Sequence, residues 1–207
     1  MPTNQSAAAC AVAEHILGWL EPEVAEYLYN VGYNSQGNIL EVGTYFGKST
    51  YLIARGIRDS GKDHRLVTVD VHSRGLDPET GKHLILAEDS PAFLLRMLKI
   101  HGLQDHVIQM IGWSHKAVPM IDLDSFETAF IDGGHDYESC STDFLSVRAK
   151  ARKPLRVLFH DNGDEFPGVQ RTINELVRTD SRVQHVGQIR SLYICDLLPS
   201  QKGKAAA

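Results

Sequence analysis

The chain has 207 residues, enough for one domain with a substantial core, and its 43% apolar and 23% charged residues are ordinary for a globular protein. Its net charge of −5 argues against nucleic acid or an anionic membrane as partner, since both demand clustered Lys and Arg. Three cysteines (Cys10, Cys140 and Cys195), odd in number and without C-x-x-C spacing, suggest neither a disulfide framework nor a zinc site and fit a reduced, cytoplasmic setting.

Residues 1 to about 9 read as mobile. Ala7 to Ala13 is small and apolar, but no basic residue precedes it, so a signal peptide is not expected. No apolar run approaches membrane-spanning length. From Cys10 to about Val31, the residues Val12, Ile16, Leu17, Leu20, Val24, Tyr27, Leu28 and Val31 recur at helical spacing, interrupted near Pro22. One or two helices are therefore expected over an N-terminal segment, residues 1–35, with a turn across Gly32 to Gly37.

Next comes Asn38-Ile39-Leu40-Glu41-Val42-Gly43-Thr44-Tyr45-Phe46-Gly47-Lys48-Ser49. It reads as a short apolar strand, a turn through Gly43 and Gly47, and a helix from Ser49 to about Arg58. Glycines let backbone approach a ligand, and the first helical N–H groups present a positive dipole end to it. A dinucleotide loop wants a second glycine where Tyr45 stands. Glu41 at the strand end would repel phosphate and suit an ammonium or sulfonium group. At these residues the sequence resembles the class I S-adenosylmethionine-dependent methyltransferases. Its E-x-G-x-x-x-G-x-S form is similar to the small metal-dependent O-methyltransferases of the catechol and natural-product types. That resemblance implies a Rossmann-like α/β fold over residues 36–198, S-adenosyl-L-methionine as cofactor, and cofactor contacts from Glu41, Gly43, Tyr45, Gly47 and Ser49. It also implies an N-terminal segment that covers the site and, by analogy, a homodimer.

Arg65 to Val71 reads as a second strand ending at Asp70, an acid placed to accept both hydroxyls of a ribose. Residues 74–89 are rich in turn formers and fit a loop contacting the acceptor. Ser90-Pro91 opens a helix that stops near Gly102. Val107 to Ile111 is a third strand, followed by Gly112-Trp113-Ser114. In the resemblance this turn flanks the adenine, with Trp113 read as a ring contact or a core tryptophan, and Ser114 as a base contact or a helix cap.

Thr128 to Ile131 reads as a fourth strand running into Asp132-Gly133-Gly134-His135, with a helix from Tyr137 to about Ala151. Leu155 to Phe159 is a fifth, running into His160-Asp161-Asn162. A helix from Pro167 to about Thr179 and strands at 183–186 and 191–197 complete the expected sheet: seven strands, mostly parallel, one antiparallel, helices on both faces. The tail, 199–207, reads as disordered. Asp132, Asp161 and Asn162 form an oxygen-rich set suited to Mg²⁺ or another divalent cation. The resembled enzymes carry an Asp and an Asp-Asn pair at these places. There the metal would aim a small-molecule hydroxyl at the methyl group, and Asp132 would lie beside the cofactor as well. His135 stands where those enzymes have a lysine that takes the substrate's proton, and a histidine is a competent base near neutral pH. His160 is the rival base. Two other readings stay open: a binder of the cofactor without methyl transfer, such as a hydroxylase component, and a nicotinamide oxidoreductase, which Tyr45 argues against. A hydrolase would need a G-x-S-x-G elbow that the chain lacks.

Overall fold

Ile39, Leu66, Phe130 and Leu158 point to one face of a sheet, while Leu40, Val42, Val67, Val69, Ala129, Ile131, Val157 and Phe159 point to the other. Strands apolar on both faces must be covered on both, which is what helical crossovers between parallel strands accomplish. The computed structural model describes residues 4–72 and 90–199 and has this architecture. Its strands are β1 (Asn38–Val42), β2 (Leu66–Asp70), β3 (Val107–Ile111), β4 (Phe126–Ile131), β5 (Leu155–Phe159), β6 (Val183–Ile189) and β7 (Leu192–Leu197). They lie in the order β3-β2-β1-β4-β5-β7-β6, with β7 antiparallel to both β5 and β6 and the other pairs parallel.

One face carries α1 (Asn4–Ala13), α2 (Pro22–Asn34), α3 (Lys48–Ser60) and α4 (Ser90–Ile100); the other carries α5 (Ser114–Ala117), α6 (Tyr137–Lys150) and α7 (Pro167–Thr172). Helices α2 and α3 touch backbone to backbone. A Cβ on Gly32 would lie 2.1 Å from the Ile53 carbonyl oxygen, and one on Gly56 would lie 2.1 Å from that of Tyr29. This contact brings the N-terminal segment onto the helix that follows the glycine loop.

Several boundaries differ from the sequence reading, β4 among them, which begins at Phe126 rather than Thr128. Residues 4–9, expected to be mobile, are helical within α1, with Ser6 and Ala9 buried. Their small side chains form no apolar stripe, yet they permit close packing. The last helix changes at Ile173 from α to π geometry and ends at Val177, short of Thr179. Strand β6 runs through Gly187 to Ile189, past the expected Val186, with a register irregularity between His185 and Gly187. The expected acceptor loop at 74–89 and most of the expected tail, from residue 200, lie outside the described residues. Among the described residues no helix is long and apolar enough to cross a membrane.

The strand order reverses between β1 and β4, so crossovers leave in opposite directions and open a crevice at their carboxyl ends. The backbone is drawn together there. Asp132 donates its N–H to the Val42 carbonyl at 2.8 Å, and Gly43 donates to that of Val69 at 2.9 Å.

Candidate active site

The loop after β1 fits only because of two glycines. Gly43 has φ +97°, and a Cβ on it would lie 1.9 Å from the Asp132 carbonyl oxygen. Gly47 has φ +89°, and its Cβ would strike Leu94 Cδ1 at 2.5 Å. Between them Tyr45 also adopts a positive φ of 50°. Asp70 holds this turn: its Oδ2 accepts the N–H of Thr44 at 2.6 Å and of Tyr45 at 2.8 Å, and its Oδ1 accepts that of His72 at 2.6 Å. A carboxylate offers about four lone-pair sites. In this arrangement three backbone N–H groups already share the Asp70 carboxylate to which the ribose reading assigned two hydroxyls.

Glu41 and Ser49 lie beneath the loop rather than in its opening. Glu41 has no exposed surface; Oε1 accepts the Ser49 hydroxyl and Oε2 the Thr50 hydroxyl, each at 2.6 Å. Burial pushes the Glu41 carboxyl up to about 7 in spite of those two donors. Its place is a buried tie between β1 and the first turn of α3, not an exposed countercharge. Over the loop runs the stretch between α1 and α2. Lys48 Nζ donates to the Gly18 carbonyl at 3.0 Å, and the Trp19 ring lies 5.8 Å from that of Tyr45.

At the adjoining sheet edge, Gly112 ends β3 and Trp113 is 55% exposed, so it is no core tryptophan and its ring is open to a ligand. Ser114 begins α5 but does not cap it. Its hydroxyl donates to Asp143 Oδ1 on α6. Asp143 is buried; burial pushes its carboxyl up to about 6, against the bond from Ser114. The sequence reading missed Asp143. The signal was there: it stands among Cys140, Phe144 and Val147 on the apolar face of α6, where an acid needs a reason.

The loops after β4 and β5 bring acids and imidazoles together. His135 Nε2 lies 2.8 Å from Asp161 Oδ2. His160 Nδ1 lies 3.2 Å from both Asp132 Oδ1 and Asp161 Oδ1, and its Nε2 lies 3.2 Å from Glu21 Oε2. Glu21, the N-cap of α2, was not foreseen, because 139 residues separate it from His160. Its other oxygen accepts the Ser191 N–H at 3.1 Å. Burial works against a charge on His160, but Asp132 and Asp161 outweigh it and push the imidazole up to about 11. Each nitrogen of His160, named above as the rival base, thus faces an acid. Burial also opposes charge on His135, but its bond to Asp161 wins and raises its pKa above the ordinary imidazole value. Asp161 moves the opposite way: the bonds from His135 and His160 overcome burial and hold it well below the usual carboxylate range. Burial raises Asp132.

Asp161 has φ +60°, and the sharp turn sends neighbouring side chains apart. Asn162 goes to the β6–β7 hairpin, where its Nδ2 donates to Gln188 Oε1 at 3.1 Å. Of the three expected metal ligands, Asp132 and Asp161 come together while the Asn162 amide nitrogen is tied elsewhere. Instead, Asp132, His135 and Asp161 offer ligand atoms within 4.8 Å of one another. Two carboxylates and an imidazole are a donor set that fits a divalent cation.

A family model described as a methyltransferase domain matches residues 40–162. Solved structures share the fold. Rv0187 from MTB, solved with its cofactor, superposes with a TM-score of 0.65 at 18% identity, covering 93% of this chain and 87% of that one. An O-methyltransferase from Bacillus cereus, in complex with SAH, gives 0.60 at 19% identity over 93% and 88%. The O-methyltransferase TomG from Streptomyces achromogenes, involved in tomaymycin synthesis and solved with SAM, gives 0.59 at 16% identity over 96% and 91%.

Proposed function

This chain belongs to the methyltransferase-domain family, and from that premise we propose that it transfers the sulfonium methyl group of S-adenosylmethionine to a hydroxyl oxygen of a small molecule. The observation that carries the reading is the joint between the two halves of the site. Gly43 of the loop and the carbonyl of Asp132 are so close that no side chain fits between them. A cofactor on the loop therefore lies beside whatever oxygen the acid cluster holds.

In this reading the Gly43–Gly47 turn and Asp70 receive the amino-acid and ribose parts of the cofactor. Trp113 offers a ring face to the adenine, and the Ser114–Asp143 pair bounds that pocket. Asp132 and Asp161 would hold a divalent cation, which when bound lowers the pKa of an acceptor hydroxyl. No strongly basic side chain is then required, consistent with His160 having an acid on each nitrogen. His160 and Glu21 keep the two aspartates aimed, and the stretch between α1 and α2 shields the loop from water. The expected gain comes from positioning an oxygen in line with the methyl group.

Calorimetric titration with S-adenosylmethionine, with Mg²⁺ and again with chelator, followed by assay of S-adenosylhomocysteine release with a diol, a phenol and a sugar, tests the proposal. Micromolar binding and turnover with a hydroxyl acceptor are the expected results. Absence of cofactor binding overturns the reading. Binding without turnover on all acceptor classes would favour a cofactor binder that transfers no methyl group.

A further inference from the structure

We infer that His135 is itself a metal ligand, making the centre a mixed nitrogen–oxygen site that prefers Fe²⁺ or Co²⁺ to Mg²⁺. The inference rests on the proposal that a divalent cation sits between Asp132 and Asp161. Its first support is spacing. Metal–ligand bonds of about 2.1 Å at right angles put neighbouring ligand atoms roughly 3 Å apart. The His135 Nε2 and Asp161 Oδ2 atoms, hydrogen-bonded to each other, stand 2.8 Å apart, a spacing that two adjacent ligands would share.

The second support is substitution. The amide nitrogen of Asn162, the third residue of the expected all-oxygen set, bonds Gln188 in the hairpin. Among the described histidines, cysteines and acids, the group that offers ligand atoms within 4.8 Å of one another is Asp132, Asp161 and the imidazole of His135. His135 is also held in place. Its ring packs 4.4 Å from that of Phe166, and its carbonyl oxygen lies against Gly168, where a Cβ would come within 2.4 Å. Asp136 caps α6 through the Ser139 N–H at 2.9 Å and anchors the other end of the same short loop.

The third support is the group behind the aspartates. His160 Nδ1 reaches Oδ1 of both Asp132 and Asp161, leaving Asp161 Oδ2 turned toward His135. Outer groups that bond to ligand carboxylates in this way fix ligand orientation. The preference among metals then follows from chemistry. Imidazole suits Fe²⁺, Co²⁺ and the ions beyond them in the first row, whereas Mg²⁺ favours oxygen ligands and releases water reluctantly.

The test is Mn²⁺ binding to the full chain, followed by electron paramagnetic resonance, with Mg²⁺ and Co²⁺ as competitors. Co²⁺ should displace Mn²⁺ at concentrations at least about tenfold lower than Mg²⁺ does. The pulsed spectrum should carry a ¹⁴N modulation from a directly bound imidazole. His135→Ala should remove that modulation and weaken Co²⁺ about tenfold or more while changing Mg²⁺ affinity much less. His135→Gln, which keeps more bulk against Phe166, is the second variant and should lose the modulation too. If Mn²⁺ binds and Asp132→Asn abolishes binding, but the modulation is missing or survives in both His135 variants, this inference is overturned and the cation proposal stands. Equal affinity for Co²⁺ and Mg²⁺ overturns the stated preference. If neither ion binds at millimolar concentration, the cation proposal fails and the inference fails with it.

Discussion

Glu41 has no exposed surface, and its two oxygens are held by the hydroxyls of Ser49 and Thr50. Burial raises it from an ordinary 4.5 to about 7. The folded chain therefore keeps this proton over a pH range in which the unfolded chain has lost it. The contribution to stability is fullest below about 4.5, declines as pH rises toward 7, and is flat above. The shift corresponds to roughly 3 kcal/mol across that window. Glu41→Gln should flatten this part of the stability–pH curve, as measured by urea unfolding at several pH values between 4 and 8. An unchanged slope would mean that Glu41 does not bind the proton. Gly43→Ala is a steric test at the same scale. Its Cβ would meet the Asp132 carbonyl and its backbone sits at φ +97°, so the variant should lose roughly 3 kcal/mol of stability and most cofactor binding. The sequence marked Gly43 and Asp70 as neighbours of a ligand. It could not show that Asp70 spends three acceptor positions on backbone N–H groups, because those bonds depend on the loop's path.

Among elements, the α2–α3 contact deserves a direct probe because glycine makes it. Gly56→Ala would place a Cβ 2.1 Å from the Tyr29 carbonyl oxygen, a backbone atom with little freedom to yield. The helices must separate, at a cost of about 3 kcal/mol, and for a chain of this size the melting temperature should fall by roughly 6 to 12 °C. The N-terminus of α2 makes the other test. Glu21 bridges His160 and the Ser191 N–H, whereas Glu23 pairs with Arg190 on the surface. Glu21→Ala should lower stability by about 1 to 2 kcal/mol through an unpartnered buried nitrogen and speed hydrogen exchange across residues 14–21. Glu23→Ala should leave both unchanged, since exposed ion pairs contribute little. Strand and helix identities were legible from apolar spacing and turn residues. The helix over residues 4–9 was not, because alanine and serine carry no periodic apolar signal.

For the molecule as a whole, the crevice joins segments distant in the chain: residues 14–21, 41–50, 132–135 and 160–162. A ligand that bridges them binds the folded chain and not the unfolded one. S-adenosylmethionine at a hundred times its dissociation constant should therefore add about 2.7 kcal/mol and raise the melting temperature by roughly 5 to 11 °C. Thermal scans across a concentration series would check this, and a melting temperature independent of concentration would count against the crevice as the binding site.

The sequence by itself determined what local rules govern. Apolar strand segments separated by helical spacing required a sheet covered on both faces, and Gly43 to Gly47 required a tight turn before α3. The acids after the fourth and fifth strands had to share the carboxyl edge, since parallel strands end on the same side. The tertiary structure alone decided which partner each polar atom takes. Glu41 turned inward to Ser49 and Thr50, Asn162 turned away to Gln188, and Glu21 crossed the chain to reach His160. Such pairings are set by burial, where a polar atom without a partner is costly, and burial exists only once distant segments have packed.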